Sequence, residues 1–168
     1  MKIILIGLMG AGKTTIGKEL SNKLNLNFID MDDEIENQYK MSIVDIFEKY
    51  GENRFREIES NLLEKIVLEE DIIISTGGGI IKKDYNCKLL KKQDNVIFLN
   101  GSIDTLVKNV SNDIHKRPLL KDSKDLYIKI GELLKERYDK YKESSNIIID
   151  INNKNINEVV SQILVYIR

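Results

Sequence analysis

Cysteine, histidine, proline and tryptophan are almost missing from this sequence. Its 168 residues include one cysteine, Cys87, one histidine, His115, one proline, Pro118, and no tryptophan. A single cysteine cannot build a disulfide framework, and one cysteine with one histidine cannot supply the ligands of a Cys/His zinc site. Nucleophilic relays that need a second residue of either type are excluded on the same grounds. Any chemistry must therefore rest on other residue types.

An excess of charge of either sign is also missing. Lys and Arg number 26 against 27 Asp and Glu, which gives a formal net charge of −1. A protein without a global basic field is not drawn to nucleic acid or to an anionic membrane, so we expect neither as a partner. No apolar run approaches the ~20 residues of a membrane span. The apolar run near the start, at residues 3–6, is broken by the glycines that follow it at residues 7, 10 and 12. We therefore expect a cytoplasmic protein with a reduced Cys87.

The length of the chain predicts one domain. A chain of this size buries about 70% of its unfolded surface on folding. No Gly/Ser/Pro-rich linker, internal repeat or low-complexity tract divides the sequence. We expect a single domain over residues 1–168, with a monomer as the default state.

Short β-branched runs alternate with longer amphipathic segments along the chain. Five runs are typical of strands covered on both faces, at residues 3–6, 28–29, 72–74, 96–99 and 147–149. This alternation predicts an α/β fold with a five-stranded parallel sheet and helices on both faces. Ligands are then expected at the carboxyl ends of the strands.

Several helix ends can also be predicted from the sequence. Ser42 with Asp45 resembles a capping box, and Asn155 with Glu158 can cap the last helix. Gly51 suits a helix C-terminus.

The segment from Gly7 to Thr14 fits G-x-x-x-x-G-K-S/T and lies between the first predicted strand and a helix-periodic segment. Such a loop turns backbone N–H groups toward phosphate oxygens and adds the positive N-terminal end of a helix. Lys13 would contact the β and γ phosphates, and the Thr14 hydroxyl would ligate Mg²⁺. A glycine-rich turn with a solvated lysine is the alternative, but the flanking strand and helix favour binding of a nucleoside triphosphate.

An acidic cluster follows the second predicted strand. Alternating positions place Asp30 and Asp32 on one side of an extended exit from the sheet. One carboxylate can orient Mg²⁺ through its waters, and another can accept a hydroxyl proton from a substrate. We favour a functional role for Asp32. For Asp33 and Glu34 we favour simple stabilisation of the N-terminus of the next helix.

Two arginines and a run of glycines are further candidates. Arg56 either forms a surface pair with Glu59 or converges with Arg137 near the sheet to select a carboxylate-bearing substrate. Arg137 lies at the edge of an apolar helical stripe, where a snorkelling side chain is the alternative. The three glycines at residues 77–79 follow a predicted strand and favour close approach of a ligand over a loose turn.

A polar stretch over residues 111–125 lacks a core pattern and is a candidate mobile lid. Arg117 is held near an extended conformation by Pro118. On closure it could reach the γ phosphate and stabilise the charge of the transferring group. His115 beside it is interpreted as a solvated lid residue.

Taken together, these residues resemble the shikimate kinase family over essentially the whole chain. The motifs that carry the resemblance are GLMGAGKTTIG at 7–17, FIDMD at 28–32, SIVDIF at 42–47, GENRFREIE at 51–59, STGGG at 75–79 and RPLL at 117–120. The phosphate loop is shared with many kinases. The Phe-Arg-x-Ile-Glu segment followed by three glycines is far more specific.

The resemblance implies a nucleoside-monophosphate-kinase-like P-loop fold and ATP-dependent phosphorylation of the 3-hydroxyl of shikimate, with one Mg²⁺. It implies that Asp32 binds the substrate hydroxyls and acts as base, and that Arg56, Gly78 and Arg137 hold the substrate. Lys13 and Arg117 would neutralise the moving phosphoryl group, and Asp30 would support the metal that Thr14 ligates. The implied ATP contacts are Gly10, Ala11, Gly12, Lys13, Thr14, Thr15, Arg117 and Lys154.

Two departures from the family pattern concern the adenine contacts. Val110 stands where an arginine often helps to clamp adenine, and Lys108 is a candidate substitute. Asn153 and Lys154 stand where a basic residue is common.

Two other functions remain open from the sequence. One is a different small-molecule P-loop kinase, of the gluconate or nucleoside-monophosphate type, and the glycine run with Phe55-Arg56 argues against it. The other is a non-catalytic nucleotide switch, which would make the set of Asp32, Arg56 and Arg137 coincidental.

Overall fold

Five strands form one parallel sheet in the order β2-β3-β1-β4-β5 in the computed structural model, which describes residues 1–111 and 125–167. The strands are β1 Lys2–Ile6, β2 Asn27–Asp30, β3 Ile72–Ser75, β4 Val96–Asn100 and β5 Ile147–Asp150. The helices in the described ranges are α1 Lys13–Leu24, α2 Met31–Tyr39, α3 Ile43–Ile66, α4 Asp84–Leu90, α5 Ile103–Val110, α6 Leu126–Glu143 and α7 Ile156–Tyr166, with a short 3-10 helix at Ile80–Lys82. The predicted five-stranded parallel α/β fold is confirmed, and each predicted strand lies within an observed one.

The core lies on both faces of the three inner strands. Every residue of β1 after Lys2 is apolar and fully buried. This is the pattern of a parallel strand that is covered by helices on both faces. The edge strands are less covered, and Ile148 on β5 is half exposed.

The pairing of β1 with β3 fixes where the loops after these strands leave the sheet. Leu5 pairs with Ser75 in the parallel register. Just beyond, the Thr76 backbone N–H and hydroxyl both donate to the Leu5 carbonyl oxygen, at 3.2 and 2.9 Å. The loop after β1 and the loop after β3 therefore start side by side, at the edge where ligands are expected.

The predicted cap of α7 and the predicted helix stop at Gly51 are confirmed. Asn155 and Glu158 form a reciprocal capping box, and Ser42 Oγ accepts from the Asp45 N–H, which is the N-cap half of the capping box predicted there. Gly51 adopts φ 79° and ψ 166°, which ends the first helical part of α3 in a kink. A glycine in this conformation interrupts the helix, and the chain returns to helical geometry directly after it.

The predicted extended exit for Asp30 and Asp32 is wrong. β2 ends at Asp30, and Asp32 lies in the first turn of α2. Asp30 Oδ1 accepts from the backbone N–H groups of Asp32 and Asp33, at 3.1 and 3.4 Å. A side-chain cap of this kind allows the helix to begin at the next residue, Met31. The expected position of Asp33 and Glu34 at a helix N-terminus is confirmed.

The predicted lid at residues 111–125, with His115, Arg117 and Pro118, lies outside the described residues apart from its two ends. Within the described part of the chain, no helix is long and apolar enough to cross a membrane.

A glycine in α1 sets how closely that helix approaches β2. A Cβ atom added at Gly17 would lie 2.4 Å from Phe28 Cε2 and 3.4 Å from Leu5 Cδ1. We expect Gly17→Ala to lower the free energy of unfolding by about 1 to 3 kcal/mol, because overpacking displaces the Phe28 ring or the helix. Urea unfolding measures the change.

Gly131→Ala in α6 is the matched control, since among the described residues its added Cβ would meet the Ile103 Cδ1 atom alone, at 3.3 Å. The gain in helix propensity of about 1 kcal/mol offsets this contact, so we expect little loss. Equal effects of the two substitutions would contradict the packing interpretation.

Candidate active site

The loop after β1 has the backbone of a phosphate cradle. Gly10 and Gly12 adopt φ values of 84° and 81°. A Cβ atom at Gly10 would lie 2.6 Å from the Leu106 carbonyl oxygen, so this position is restricted to glycine by space as well as conformation. Gly12 caps α1, which directs the positive end of that helix at the loop.

Lys13 is the first residue of α1 and is folded back over the loop. Its side chain is buried, and Nζ donates to the Gly7 and Leu8 carbonyl oxygens at 2.7 and 3.2 Å. The ammonium group therefore lies at the mouth of the cradle, where a polyphosphate would need a positive charge.

Thr14 and Asp30 join the phosphate loop to the acidic cluster. The Thr14 hydroxyl donates to Asp30 Oδ2 at 2.6 Å, while the other oxygen of the same carboxylate caps α2. A hydroxyl next to a carboxylate is a set of hard oxygen donors, which suits Mg²⁺. The residues present thus fit a magnesium ion.

The glycines at 77–79 form a turn against which the charged candidates gather. A Cβ atom at Gly77 would lie 2.4 Å from Glu59 Oε1 and 3.1 Å from Asp32 Oδ1. At Gly79 it would lie 2.2 Å from Arg56 Nη1. These short distances mean that two carboxylates and a guanidinium group rest directly on the turn.

The same turn touches the phosphate loop. A Cβ atom at Gly78 would lie 3.3 Å from the Met9 backbone nitrogen and 3.7 Å from the Gly7 carbonyl oxygen. Gly7 O also accepts from Lys13 Nζ. The phosphate loop and the cluster of acidic and guanidinium groups therefore both contact the glycine turn at 77–79.

Arg56 is a buried residue of this cluster, so the expectation of a surface pair is wrong. Its side chain is 7% exposed, and that of Glu59 is 1% exposed. Arg56 Nη1 donates to Glu59 Oε2 at 2.6 Å, and Nε and Nη2 donate to Glu52 Oε1 at 3.4 and 3.3 Å. Helix spacing alone could not distinguish this arrangement from an exposed pair, because both place the partners one turn apart.

Arg137 is also buried, which overturns the snorkelling alternative. It is 2% exposed, and Nη1 donates to the Gly78 carbonyl oxygen at 3.2 Å. Nε and Nη2 are buried and have no hydrogen-bond partner among the described residues. Unpaired buried guanidinium donors are costly, so an anionic ligand would relieve this arrangement.

One cleft of about 1640 Å³ runs along the phosphate loop, the acidic cluster after β2 and the glycine turn. The predicted site residues that line it are Gly10, Ala11, Gly12, Lys13, Thr14, Thr15, Asp30, Asp32, Gly78 and Lys154. Arg56 and Arg137 contact the glycine turn but are not among the residues that line the cleft. Arg117 lies outside the described residues.

The far end of the cleft carries the candidate adenine contacts. Lys108 lines the cleft, whereas Val110 is buried against Gly10. Lys154 donates to the Asp150 carbonyl oxygen at 2.9 Å. Asn109 was missed by the sequence reasoning. Its side-chain amide donates to the Gly10 carbonyl oxygen at 2.8 Å and so holds the phosphate loop from α5.

Comparison with known proteins decides between the functions that the sequence left open. The model of the shikimate kinase family matches residues 9–168. The chain belongs to the shikimate kinase family. It is 42% identical to the shikimate kinase of Clostridium botulinum (strain Eklund 17B / Type B) over 162 residues, which cover 96% of this chain and 94% of that protein.

Solved structures agree with this assignment. Shikimate kinase from Acinetobacter baumannii, solved in complex with shikimate, has a TM-score of 0.94 and 34% identity and covers 99% of this chain and 92% of its own. A gluconokinase from Sinorhizobium meliloti has a TM-score of 0.60 and 17% identity, covering 98% and 89%. The second likeness is one of fold alone. The family match therefore supports the shikimate kinase reading over the gluconate, nucleotide-kinase and switch alternatives.

Glu59 is a member of the site that the sequence reasoning treated only as the partner of Arg56. Burial raises its pKa to about 7, the nearby Arg56 opposes this increase, and Asp32 adds to it. One carboxylate oxygen, Oε1, is buried and has no hydrogen-bond partner among the described residues. The signal available in the sequence was its position one helical turn after Arg56.

The raised pKa of Glu59 predicts a pH dependence of stability. A carboxyl group whose folded-state pKa exceeds its ordinary value of 4.5 favours the folded state below that value, and this contribution is lost as pH rises through about 7. We expect Glu59→Gln, which cannot ionise, to lack this loss. The free energy of unfolding of the variant, relative to that of the wild type, should therefore rise by at most about 3 kcal/mol from low to high pH.

Urea unfolding at pH 5 and pH 8 tests this expectation. Glu57→Gln, on an exposed residue of the same helix, is the matched control and should follow the wild type. Parallel stability curves for Glu59→Gln and the wild type would contradict the prediction.

Proposed function

We propose that this chain transfers the γ-phosphoryl group of ATP to the 3-hydroxyl of shikimate, giving shikimate 3-phosphate and ADP. The observation that carries the proposal is the contact of one glycine turn with both the phosphate loop and the cluster of Asp32, Arg56 and Arg137. A polyphosphate and a small anionic alcohol would thereby lie next to each other. The shikimate bound to the Acinetobacter baumannii relative agrees with this acceptor.

The acceptor side of the cluster fits a carboxylate with neighbouring hydroxyl groups. Two donor nitrogens of Arg137 have no hydrogen-bond partner in the described part of the chain, and Arg56 adds a second buried guanidinium group. Guanidinium forks bind carboxylates in a bidentate manner. Gly78 lines the cleft and would contact the acceptor. Asp32 would bind the acceptor hydroxyl and take its proton. Its position in the first turn of α2 holds that carboxylate at the cleft.

The nucleotide side consists of the phosphate loop and its helix. The N–H groups of residues 10–15 would bind the phosphates of ATP, with Lys13 neutralising the charge on the transferring group. Lys154 and Lys108 line the end of the cleft where the adenine would lie. Arg117, from the proposed lid at 111–125, would add a second positive charge when the lid excludes water.

Thr14 and Asp30 would hold one Mg²⁺, with the Thr14 hydroxyl as ligand and Asp30 orienting it through the hydrogen bond of 2.6 Å. Mg²⁺ is commonly bound by few protein oxygens together with phosphates. Among the described residues, no group of three His, Cys, Asp or Glu side chains could hold a metal alone. When bound, the ion neutralises charge on the phosphate oxygens.

The whole chain would act as one kinase domain, as a monomer in the cytoplasm, with ATP and shikimate as partners and without nucleic acid or membrane as a partner. These points remain predictions from the sequence.

ADP release measured with shikimate, gluconate and nucleoside monophosphates tests the function. We expect ATP turnover with shikimate to exceed that with the other acceptors by at least about 100-fold. Nucleoside monophosphates lack a carboxylate for the buried guanidinium groups, and gluconate, which has one, is an open chain that does not hold a hydroxyl in fixed geometry beside Asp32. EDTA should abolish the activity and excess Mg²⁺ should restore it. Faster turnover with gluconate or a nucleoside monophosphate, or none with any acceptor, would overturn the proposal.

Arg137→Ala tests the acceptor side by itself. Removal of one arginine from a desolvated contact with a carboxylate costs about 2 to 5 kcal/mol, so the KM for shikimate should rise roughly 30-fold or more while the KM for ATP stays within about twofold. Lys135→Ala removes an exposed cation from the same helix and is the matched control. An unchanged KM for shikimate would remove Arg137 from the site.

A further inference from the structure

The Gly78 carbonyl oxygen accepts two hydrogen bonds from one helix. Arg137 Nη1 donates to it at 3.2 Å, and the Tyr141 hydroxyl donates to it as well. The two donors are four residues apart, so they lie on the same face of α6, one turn from each other. The carbonyl group is thereby held between a cation and a phenol.

Tyr141 is a rigid donor. Its side chain is fully buried, and its ring stacks on Phe98 with ring centroids 5.1 Å apart and an interplanar angle of 23°. Burial raises the pKa of the phenol well above its usual value, so the hydroxyl keeps its proton throughout the physiological range. The bond to Gly78 is therefore fixed in both direction and protonation.

Arg137 depends on that carbonyl oxygen for its orientation. Its guanidinium group donates to Gly78 and also interacts with the Tyr141 hydroxyl, whereas Nε and Nη2 are left without hydrogen-bond partners among the described residues. Nε and Nη2 form one side of the planar fork, the geometry that binds both oxygens of a carboxylate. A small rotation of the Gly78 peptide would therefore turn this side of the fork away.

We propose that Tyr141 is a positioning residue for the acceptor: its hydroxyl fixes the Gly78 carbonyl, and the carbonyl in turn orients the Arg137 fork toward the acceptor carboxylate. This inference rests on the proposed function. It predicts that the phenolic hydroxyl, and not the ring, sets the affinity for shikimate.

Tyr141→Phe removes only the hydroxyl and keeps the ring on Phe98. Loss of one net hydrogen bond with its orienting effect should raise the KM for shikimate roughly 3- to 30-fold. The turnover number and the KM for ATP should stay within about twofold, because the substitution leaves Lys13, Asp32 and every residue of the phosphate loop in place. Tyr138→Phe is the matched control, since its ring packs edge-on against the same Phe98 while Gly78 is held by Tyr141. It should leave all three constants near those of the wild type.

A double-mutant cycle separates positioning from simple packing. In an Arg137→Ala background, Tyr141→Phe should raise the KM for shikimate less than twofold further, because the group that it orients is gone. Full additivity would overturn the proposal. So would an unchanged KM for shikimate in Tyr141→Phe, or a parallel loss in both KM values with a lower melting temperature.

The wild type distinguishes this proposal from the proposed function. A wild type that does not phosphorylate shikimate overturns both. A wild type that is active on shikimate, with Tyr141→Phe indistinguishable from it, overturns only the role of Tyr141.

Discussion

The contact between the glycine turn at 77–79 and the phosphate loop is the constraint on which the rest of the site depends. It exists because β1 and β3 are parallel neighbours in register, with Leu5 opposite Ser75. The two strands end together, and Thr76 ties their ends with two hydrogen bonds to the Leu5 carbonyl oxygen. Glycine at residue 78 then allows the second loop to approach the Met9 backbone nitrogen. A phosphoryl donor bound by the first loop and an acceptor bound beside the second would therefore lie next to each other.

Around this contact the protein buries groups that a stable core would avoid. Glu59 and Arg137 are nearly inaccessible, yet each has at least one side-chain atom without a hydrogen-bond partner among the described residues. Burial of incompletely paired charges lowers stability. Burial of the apolar sheet residues offsets this loss of stability, and residues 3–6 of β1 are fully buried. Functional sites are where such arrangements are expected, because an incoming ligand completes the pairing.

The periodic and local features of the fold could be predicted from the sequence. The short apolar runs of the strands, the phosphate loop and the caps at Ser42 and Asn155 each follow from a short stretch of chain. What could not be predicted depends on contacts between distant segments. The helical spacing of Arg56 and Glu59 is the same on a surface as in a core, and only the packing of α3 against the glycine turn buries the pair. The helical position of Asp32 was missed because Asp30, which reads as a strand end, also caps a helix.

The loop that would bind the phosphates is backed by α5 on its far side. An added carbon at Gly10 would meet the Leu106 carbonyl oxygen at 2.6 Å and the Val110 side chain at 2.8 Å, while Asn109 bonds the Gly10 carbonyl oxygen. The curvature of the loop is therefore set in part by a helix whose buried residues touch no phosphate. Natural variation along that hidden side of α5 offers a way to tune nucleotide affinity while every residue that faces the ligand stays the same.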